Sequence, residues 1–193
     1  MFTPILRPGS GLPSDAGFTL RPLGLDDAPR FAEALNDPEI RYWMHGVPES
    51  YSEADARRDL GGAEEATPAE AEASDDPYWA WAVVDADDRL VGKIALSDLT
   101  ESGITLSYWL HPAGRRKGWM TVAVRAIARW TASPSGPGVA CLRANVAAAN
   151  HSSRSVLERV GFVPEEAHGD YKMGDGSYAE GMRYVLDLVG DAR

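Results

Sequence analysis

The amino-acid sequence predicts an α/β fold (α+β in the broader sense), with a mixed central β-sheet of about six to seven strands flanked by helices. Residues 78–110 contain three apolar runs that alternate with a period of two and are separated by polar turns, which is typical of an antiparallel meander. Residues 119–160 then show a helix, a strand and a second helix. This succession indicates crossover connections and therefore a mixed sheet.

Length and composition favour one soluble domain. The chain has 193 residues, of which 44% are hydrophobic and 25% charged, so it can bury a substantial core. It contains no run of about 18 apolar residues, and its first residues lack the apolar core of a signal peptide. We expect a cytoplasmic protein without a membrane span, with a flexible arm at residues 1–16 and a single domain at residues 17–190.

The charge distribution is uneven. The net charge of −10 argues against nucleic-acid binding through a basic surface. Residues 49–76 contain ten acidic side chains and two arginines, so this segment carries −8 of the total. Two interpretations are open: a solvated helix and loop, or an acidic rim that attracts a cationic amine.

The N-terminal segment is predicted to contain one short strand followed by three short helices. Residues 18–23 alternate as a strand does, and Asp26 or Asp27 is the N-cap candidate of a helix that runs to Asn36. Pro38 precedes a short helix at residues 39–44. A further helix at residues 52–61 begins with a Ser52–Asp55 capping box, and residues 61–76 are interpreted as its end and an exposed loop.

From residue 119 onward, the sequence predicts two helices and three strands. Its helices are residues 119–131 and 152–160, and its strands are residues 139–146, from 162, and 182–189. The first helix has an apolar face of Val122, Ala126 and Trp130, with Ala123 and Ile127 beside them, and a polar face of Thr121, Arg125 and Arg129. Asn150 caps the second helix and Gly161 closes it, while Cys141 is predicted to be buried in a strand.

A basic turn between a strand and a helix, at residues 106–120, is the feature that points to chemistry. Pro112 and Gly114 end an apolar run, three consecutive cations follow, and Gly118 begins a helical pattern. The N–H groups at a helix N-terminus attract anions, and glycine allows a ligand close to the backbone. The turn therefore predicts a phosphate site; a surface turn with solvated cations is the alternative.

Two segments resemble motifs of the GNAT acyl-CoA N-acyltransferases. Residues 115–120 (RRKGWM) resemble the family's Arg/Gln-x-x-Gly-x-Gly/Ala motif, and residues 150–162 (NHSSRSVLERVGF) resemble its Asn-x-x-Ser-x-x-Val-Leu-Glu-Lys-x-Gly-Phe segment. Residues 107–112 and the pair Glu180 and Tyr184 resemble strands of its RimJ/RimL-like branch, which acetylates the N-termini of ribosomal proteins. The resemblance spans about residues 18–189.

The resemblance implies a sheet that splays at the strand of residues 108–110, with acyl-CoA in the splay. It implies that Leu110 polarises the thioester carbonyl, that Asn150 binds the pantetheine arm, and that Ser153 protonates the leaving thiolate. Leu110 and Ser153 are thus the implied catalytic residues. The implied cofactor-binding residues are Trp109, Leu110, His111, Arg115, Arg116, Lys117, Gly118, Trp119, Met120, Thr121, Asn150 and Ser153.

The implied activity is N-acetyl transfer from acetyl-CoA to a primary amine by direct attack, without a metal. The acceptor stays open among a protein N-terminus, a polyamine, an aminoglycoside and an amino acid, and a homodimer is left open. Thr105 and Ser107 stand where the branch often has Glu and Gly, so no general base is evident. A transferase for a longer acyl group such as succinyl, and a CoA-binding regulatory module, are the alternatives.

Overall fold

The structure is a computed structural model that describes residues 5–6, 12–13, 17–64, 78–101, 103–165 and 169–188. The strands in these ranges are β1 (Ile5–Leu6), β2 (Leu12–Pro13), β3 (Thr19–Pro22), β4 (Tyr78–Val84), β5 (Leu90–Thr100), β6 (Gly103–Leu110), β7 (Cys141–Ala147), β8 (Val163–Pro164), β9 (Asp170–Lys172) and β10 (Tyr178–Asp187). The helices are α1 (Ala28–Leu35), α2 (Pro38–Trp43), α3 (Glu53–Glu64), α4 (Trp119–Ala132) and α5 (His151–Val160), with 3₁₀ turns at Leu25–Asp27 and Pro112–Gly114.

The strands form one mixed sheet in the order β2-β3-β4-β5-β6-β7-β10-β8, with β1 beside β4 and β9 beside β10. The pairs β4–β5 and β5–β6 are antiparallel, as the meander predicts, and β6–β7 is parallel. The α/β fold class is therefore confirmed. The sheet has more strands than predicted, because β1, β2 and β9 contain only two or three residues and are too short to show a period.

The ladder between β6 and β7 ends early. These strands pair only at Ile104–Leu142 and Thr105–Arg143. In contrast, β6 stays paired with β5 as far as Leu110, and β7 stays paired with β10 along its whole length. The two central strands therefore diverge beyond Thr105, and one edge of β6 is left without a strand partner.

Helices cover both faces of the sheet. On one face α4 and α5 pack on a core that includes Ile94, Leu106 and Leu142. On the other face α1 and α3 pack on a second core, in which Phe31 contacts Trp109 edge-to-face at 5.4 Å between ring centroids. Because side chains alternate along β6, Trp109 points to the α1 face while its neighbours point to the α4 face.

Capping explains several helix ends. The Ser52–Asp55 capping box is confirmed: the Asp55 N–H donates to Ser52 Oγ at 3.1 Å, and the Ser52 N–H donates to Asp55 Oδ2 at 2.9 Å. Asn150 accepts from the N–H of Ser153 at 3.1 Å, and Gly161 ends α5 with a left-handed φ of 113°. Asp37 also caps α2, which the sequence analysis missed.

Asp27 is the N-cap residue of α1, which is one of the two predicted candidates, but its side chain makes no capping hydrogen bond to the helix. Asp27 is buried and accepts two hydrogen bonds of 2.8 Å from the guanidinium of Arg21, together with one from the N–H of Gly24. The Asp27 carboxylate therefore holds β3, which contains Arg21, against the 3₁₀ turn before α1.

The predicted faces of α4 also need correction. The predicted apolar face of Val122, Ala126 and Trp130 is only half-buried, and Thr121, assigned to the polar face, is buried. Ala123 and Ile127 are buried, as predicted, and the further buried positions of α4 include Met120, Val124, Ala128 and Thr131. Arg125 and Arg129 are exposed as predicted.

Two further predictions concern segments that lie largely outside the described ranges. Most of the predicted arm at residues 1–16 and most of the predicted helix end and exposed loop at residues 61–76 lie outside them. Within the arm, β1 and β2 pair with the sheet. No helix in the described ranges is long and apolar enough to cross a membrane. Cys141, predicted to be buried, is half-buried because it begins β7 at the sheet's end.

Candidate active site

A cleft of about 770 Å³ opens where β6 and β7 diverge. Its walls are residues 106–110 of β6, residues 144–146 of β7 and the first turns of α4 and α5. Residues of α2 and Tyr171 line its far end. Ten of the twelve predicted cofactor-binding residues line this cleft; His111 and Lys117 do not.

The basic turn forms one end of the cleft. Gly118 is the N-cap residue of α4, with φ of 74°, and no side chain in the described ranges caps this helix. A Cβ at Gly118 would meet no atom within 4 Å, so the space beside the helix N-terminus is open. Arg116 also has a left-handed φ of 61°, and Lys117 stacks its ammonium 4.2 Å from the ring centroid of Trp119. The turn thus presents N–H groups and positive charge to one open space.

Arg115 turns away from that space and ties the turn to α2. Its guanidinium pairs with Asp37 at 2.5 Å and with Glu39 at 2.7 Å, and its Nε donates to the carbonyl oxygen of Leu110 at 3.1 Å. Burial alone would raise the pKa of Asp37, but the hydrogen bonds from Arg115 and from the N–H of Ile40 outweigh it and lower the pKa. Arg115 therefore joins three elements around the cleft.

The free edge of β6 follows from the alternation of ladder bonds. The N–H of His111 donates to Val91 on β5 at 3.0 Å, so the N–H groups of alternate residues such as Trp109 also point to β5. The intervening N–H of Leu110 then faces the divergence. This makes Leu110 the residue of the predicted set whose N–H is directed into the cleft from the strand.

His111 lies outside the cleft and anchors the end of β6. Its Nδ1 accepts from the N–H of Ala113 at 3.1 Å, and its Nε2 lies 3.3 Å from Glu33. Burial, together with the nearby charge of Arg30, lowers the pKa of His111 below its ordinary value. The imidazole is therefore neutral at neutral pH and has a structural role.

Ser153 meets Tyr108 in the middle of the cleft. The Ser153 Oγ and the Tyr108 hydroxyl lie 2.9 Å apart, and the same hydroxyl is 3.1 Å from the Ser153 carbonyl oxygen. Burial raises the pKa of Tyr108, so its phenol stays protonated. Asn150 uses Oδ1 as the cap of α5, which leaves its Nδ2 donor without a partner in the described part of the chain.

A family model described as an acetyltransferase (GNAT) domain matches residues 18–163, which is most of the chain. The chain belongs to the GNAT acetyltransferase family. The protein is accordingly an N-acetyltransferase by family, as its motifs indicate. No curated protein sequence matches it significantly.

Solved structures share this GNAT fold. Ribosomal-protein-S5-alanine acetyltransferase from Vibrio fischeri has a TM-score of 0.77 at 18% identity, covering 95% of this chain and 99% of that chain. RimJ from Mycobacterium smegmatis, in complex with a CoA disulfide, has a TM-score of 0.73 at 17% identity, covering 95% and 88%. Spermidine N-acetyltransferase from Vibrio cholerae, with CoA and spermine, has a TM-score of 0.70 at 18% identity, covering 91% and 98%. These structures therefore share the fold of the chain.

Acidic groups are scarce in the cleft of this GNAT protein. Glu39 is the only carboxylate among the described cleft residues, and it is paired with Arg115. The acidic residues Glu49, Glu53, Asp55 and Asp59 do not line the cleft. No group of three His, Cys, Asp or Glu side chains that could hold a metal ion occurs in the described ranges.

Tyr108 was placed at the splay from the sequence but was given no role there, and Lys93 was not predicted as a cleft residue. Tyr108 lies inside the resembling strand segment, so that segment could have suggested it, but its bond to Ser153 joins elements 45 residues apart. Lys93 lies in the middle of β5, where nothing in the local sequence distinguishes it from a solvated strand lysine.

The Arg115–Asp37 ion pair predicts a pH-dependent contribution to stability. Because folding lowers the pKa of Asp37, the pair stabilises the protein above the unfolded pKa of about 4 and loses its effect as the pH falls through the lower folded value. Asp37→Asn should therefore lower Tm clearly near neutral pH, and the difference from wild type should shrink toward about pH 3.

The control for this measurement is Asp87→Asn. Asp87 is exposed and lies 3.5 Å from the exposed Arg89, so its neutralisation should change Tm little at either pH. A deficit of Asp37→Asn that is as large in acid as at neutral pH would contradict the assignment.

Proposed function

We propose that the protein transfers an acyl group, most simply acetyl, from acyl-CoA to a primary amine by direct attack. The observation that carries this proposal is the cleft at the β6–β7 divergence. It joins an anion-attracting helix N-terminus at one end to a free strand edge and a Tyr108–Ser153 hydroxyl pair in the middle. A pyrophosphate, a pantetheine arm and a thioester follow one another in the same order along acyl-CoA.

The phosphate end fits the residues present. The N–H groups of the first turn of α4 would hold the pyrophosphate, with Arg116 and Lys117 supplying positive charge. The open space at Gly118 would let the phosphates approach the backbone. Arg115 would contribute by holding the turn, since its guanidinium is already paired with Asp37 and Glu39.

The middle of the cleft fits the thioester. The Nδ2 of Asn150 would donate to the pantetheine arm, and the N–H of Leu110 would polarise the thioester carbonyl. The thioester supplies an activated acyl group and a thiolate leaving group. Ser153 would deliver a proton to that sulfur, while Tyr108 orients the serine hydroxyl from 2.9 Å away.

The acceptor would lose one proton to bulk water and attack as the neutral amine. The second proton, released on attack, would pass through water in the cleft to Ser153 and replace the one that Ser153 gives to the sulfur. This assignment follows from the pairing of Glu39, the one described cleft carboxylate, with Arg115. No covalent enzyme intermediate is needed, because Cys141 does not line the cleft. The proposal includes a cytoplasmic location and no metal, and it leaves a homodimer open.

The test of this function is a matrix of acyl-CoA donors and amines, with free thiol release and mass spectrometry of the product as readouts. Acetyl-CoA should release thiol only when an amine is present, and the product should be N-acetylated. Faster release from succinyl-CoA would replace the acetyl assignment with a longer acyl group. CoA binding without release for any amine would make the protein a CoA-binding module.

Substitution of Gly118 tests the phosphate end. CoA at a hundred times its Kd should stabilise the wild type by about 2.7 kcal/mol and raise Tm accordingly. Gly118→Asp should abolish this rise, because it places a negative charge beside the phosphates. Gly118→Asn is the matched control, since Asn has the same shape, carries no charge and tolerates a left-handed φ. Equal shifts for the Asp and Asn variants would contradict the placement.

Ser153 and Asn150 should give separable defects. Ser153→Ala should lower kcat by about 10²–10⁴-fold with little change in CoA affinity, because it removes a positioned proton donor. Asn150→Ala should weaken CoA binding and also destabilise α5 by about 1 kcal/mol, because it removes a helix cap. Turnover is paired with a CoA binding isotherm for each variant. Wild-type turnover of Ser153→Ala, when chemistry limits the rate, would transfer the proton donation to water.

A further inference from the structure

The cleft passes through the sheet from one face to the other. The phosphate end lies beside α4, and Tyr108 points to that same face, where it meets α5. Trp109 points to the opposite face, where Phe31 contacts it. Lys93 is the register partner of Trp109 on β5, so both side chains point to the α1 face. The cleft therefore has a second half, away from the phosphate end, into which Lys93 projects.

Lys93 is an uncompensated cation in this second half. Its Nζ lies 5.7 Å from the ring centroid of Phe31 and 5.3 Å from that of Tyr78, which hold the ammonium over apolar rings. No carboxylate in the described part of the chain pairs with it. Glu39 is already paired with Arg115.

The second half of the cleft has a fixed cover. The Tyr171 hydroxyl donates to the carbonyl oxygen of Trp43 at 2.9 Å. The N–H of Gly174 donates to the carbonyl oxygen of Tyr42 at 3.0 Å. A Cβ at Gly174 would lie 1.6 Å from the carbonyl oxygen of Arg41, so the β9–β10 loop rests directly on α2. Tyr171 and α2 are thus held together where they line the far end of the cleft.

An amine enters this half as an ammonium, because its pKa lies above neutral pH. Beside Lys93, an acceptor with only positive charge would be repelled. An acceptor that also carries a carboxylate would bring a partner for Lys93 and enter without unbalanced charge. The charge of the cleft thus selects among amines.

We propose that Lys93 binds the carboxylate of the acceptor, so that the substrate is a small amino carboxylate rather than a polyamine or a peptide. This inference rests on the proposed acyl transfer and specifies its acceptor. It makes Lys93 a specificity-determining residue that contacts substrate.

The test compares an amino acid with its amide, which differ in one charged group. Rates are measured by thiol release from acetyl-CoA and compared per unprotonated amine, with spermidine and an amidated peptide as further acceptors. The wild type should prefer the amino acid. Lys93→Met should lower kcat/KM for the amino acid by about tenfold to a hundredfold and leave the amide within about twofold, whereas Lys93→Arg should keep the preference.

Lys172→Met is the matched control. The sequence has three lysines, and Lys172 is exposed on β9 and does not line the cleft. This variant changes the net charge by the same amount, so it should keep the preference of the wild type. A wild type that prefers the amide, spermidine or the peptide would overturn the proposal. So would a preference that survives Lys93→Met.

A binding measurement separates failure of this inference from failure of the proposed function. Calorimetry compares an N-acetyl amino acid with its amide on the CoA-saturated protein. Tighter binding of the acid that is lost in Lys93→Met supports the carboxylate site even if no amine yields thiol. Equal binding of acid and amide by the wild type overturns the site even if acyl transfer is observed.

Discussion

The early end of the β6–β7 ladder is the constraint on which the rest of the site depends. Both strands keep full ladders on their outer sides, so neither can bend back to close the gap beyond Thr105. The β5–β6 pair is also tightly packed, since a Cβ at Gly92 would lie 2.7 Å from the carbonyl oxygen of Trp109. His111 fixes the end of β6 to β5 and α1. The open edge is thus maintained by the surrounding pairing rather than by a ligand.

Electrostatics divides the cleft into two halves with different tasks. At the α4 end, the N-terminus of the helix and Arg116 line one open space, and Lys117 adds positive charge from the same turn, which suits a highly charged anion. On the α1 face the ammonium of Lys93 faces the proposed acceptor half and is the one lysine there among the described residues, which suits one carboxylate. Arg115 lies between α2 and the turn and pairs with two carboxylates. It therefore links the two halves of the cleft structurally and adds no net positive charge to either half.

The sequence predicted those features whose signals are local. The Ser52–Asp55 capping box, the Asn150 cap and the Gly161 helix end each depend on residues a few positions apart, and the structure contains all three. The meander was predicted because its strands are long enough to show their period. The two family motifs indicated residues of the cleft walls because each motif is also a short continuous stretch of sequence.

Features that depend on distant partners could not be predicted. Arg115 belongs to the basic turn in sequence, but its partner Asp37 lies 78 residues away, and only the folded chain reveals that it is not free for an anion. Thr121 has a polar side chain and was assigned to the polar face, but it is buried. The face of α4 that packs on the core is wider than the spacing of its apolar residues indicated. Lys93 becomes distinctive only when Phe31 and Tyr78 enclose it.

The central claim is that the thioester arm of acyl-CoA lies along the free edge of β6. Backbone amide hydrogen exchange of Leu110, followed by NMR with and without saturating CoA, tests it directly. Trp109 is an internal control, because its N–H already points to β5. The account predicts that CoA slows exchange at Leu110 by about tenfold more than at Trp109, since a new hydrogen bond forms at one amide and not at the other. Equal effects at the two amides under saturation would contradict it.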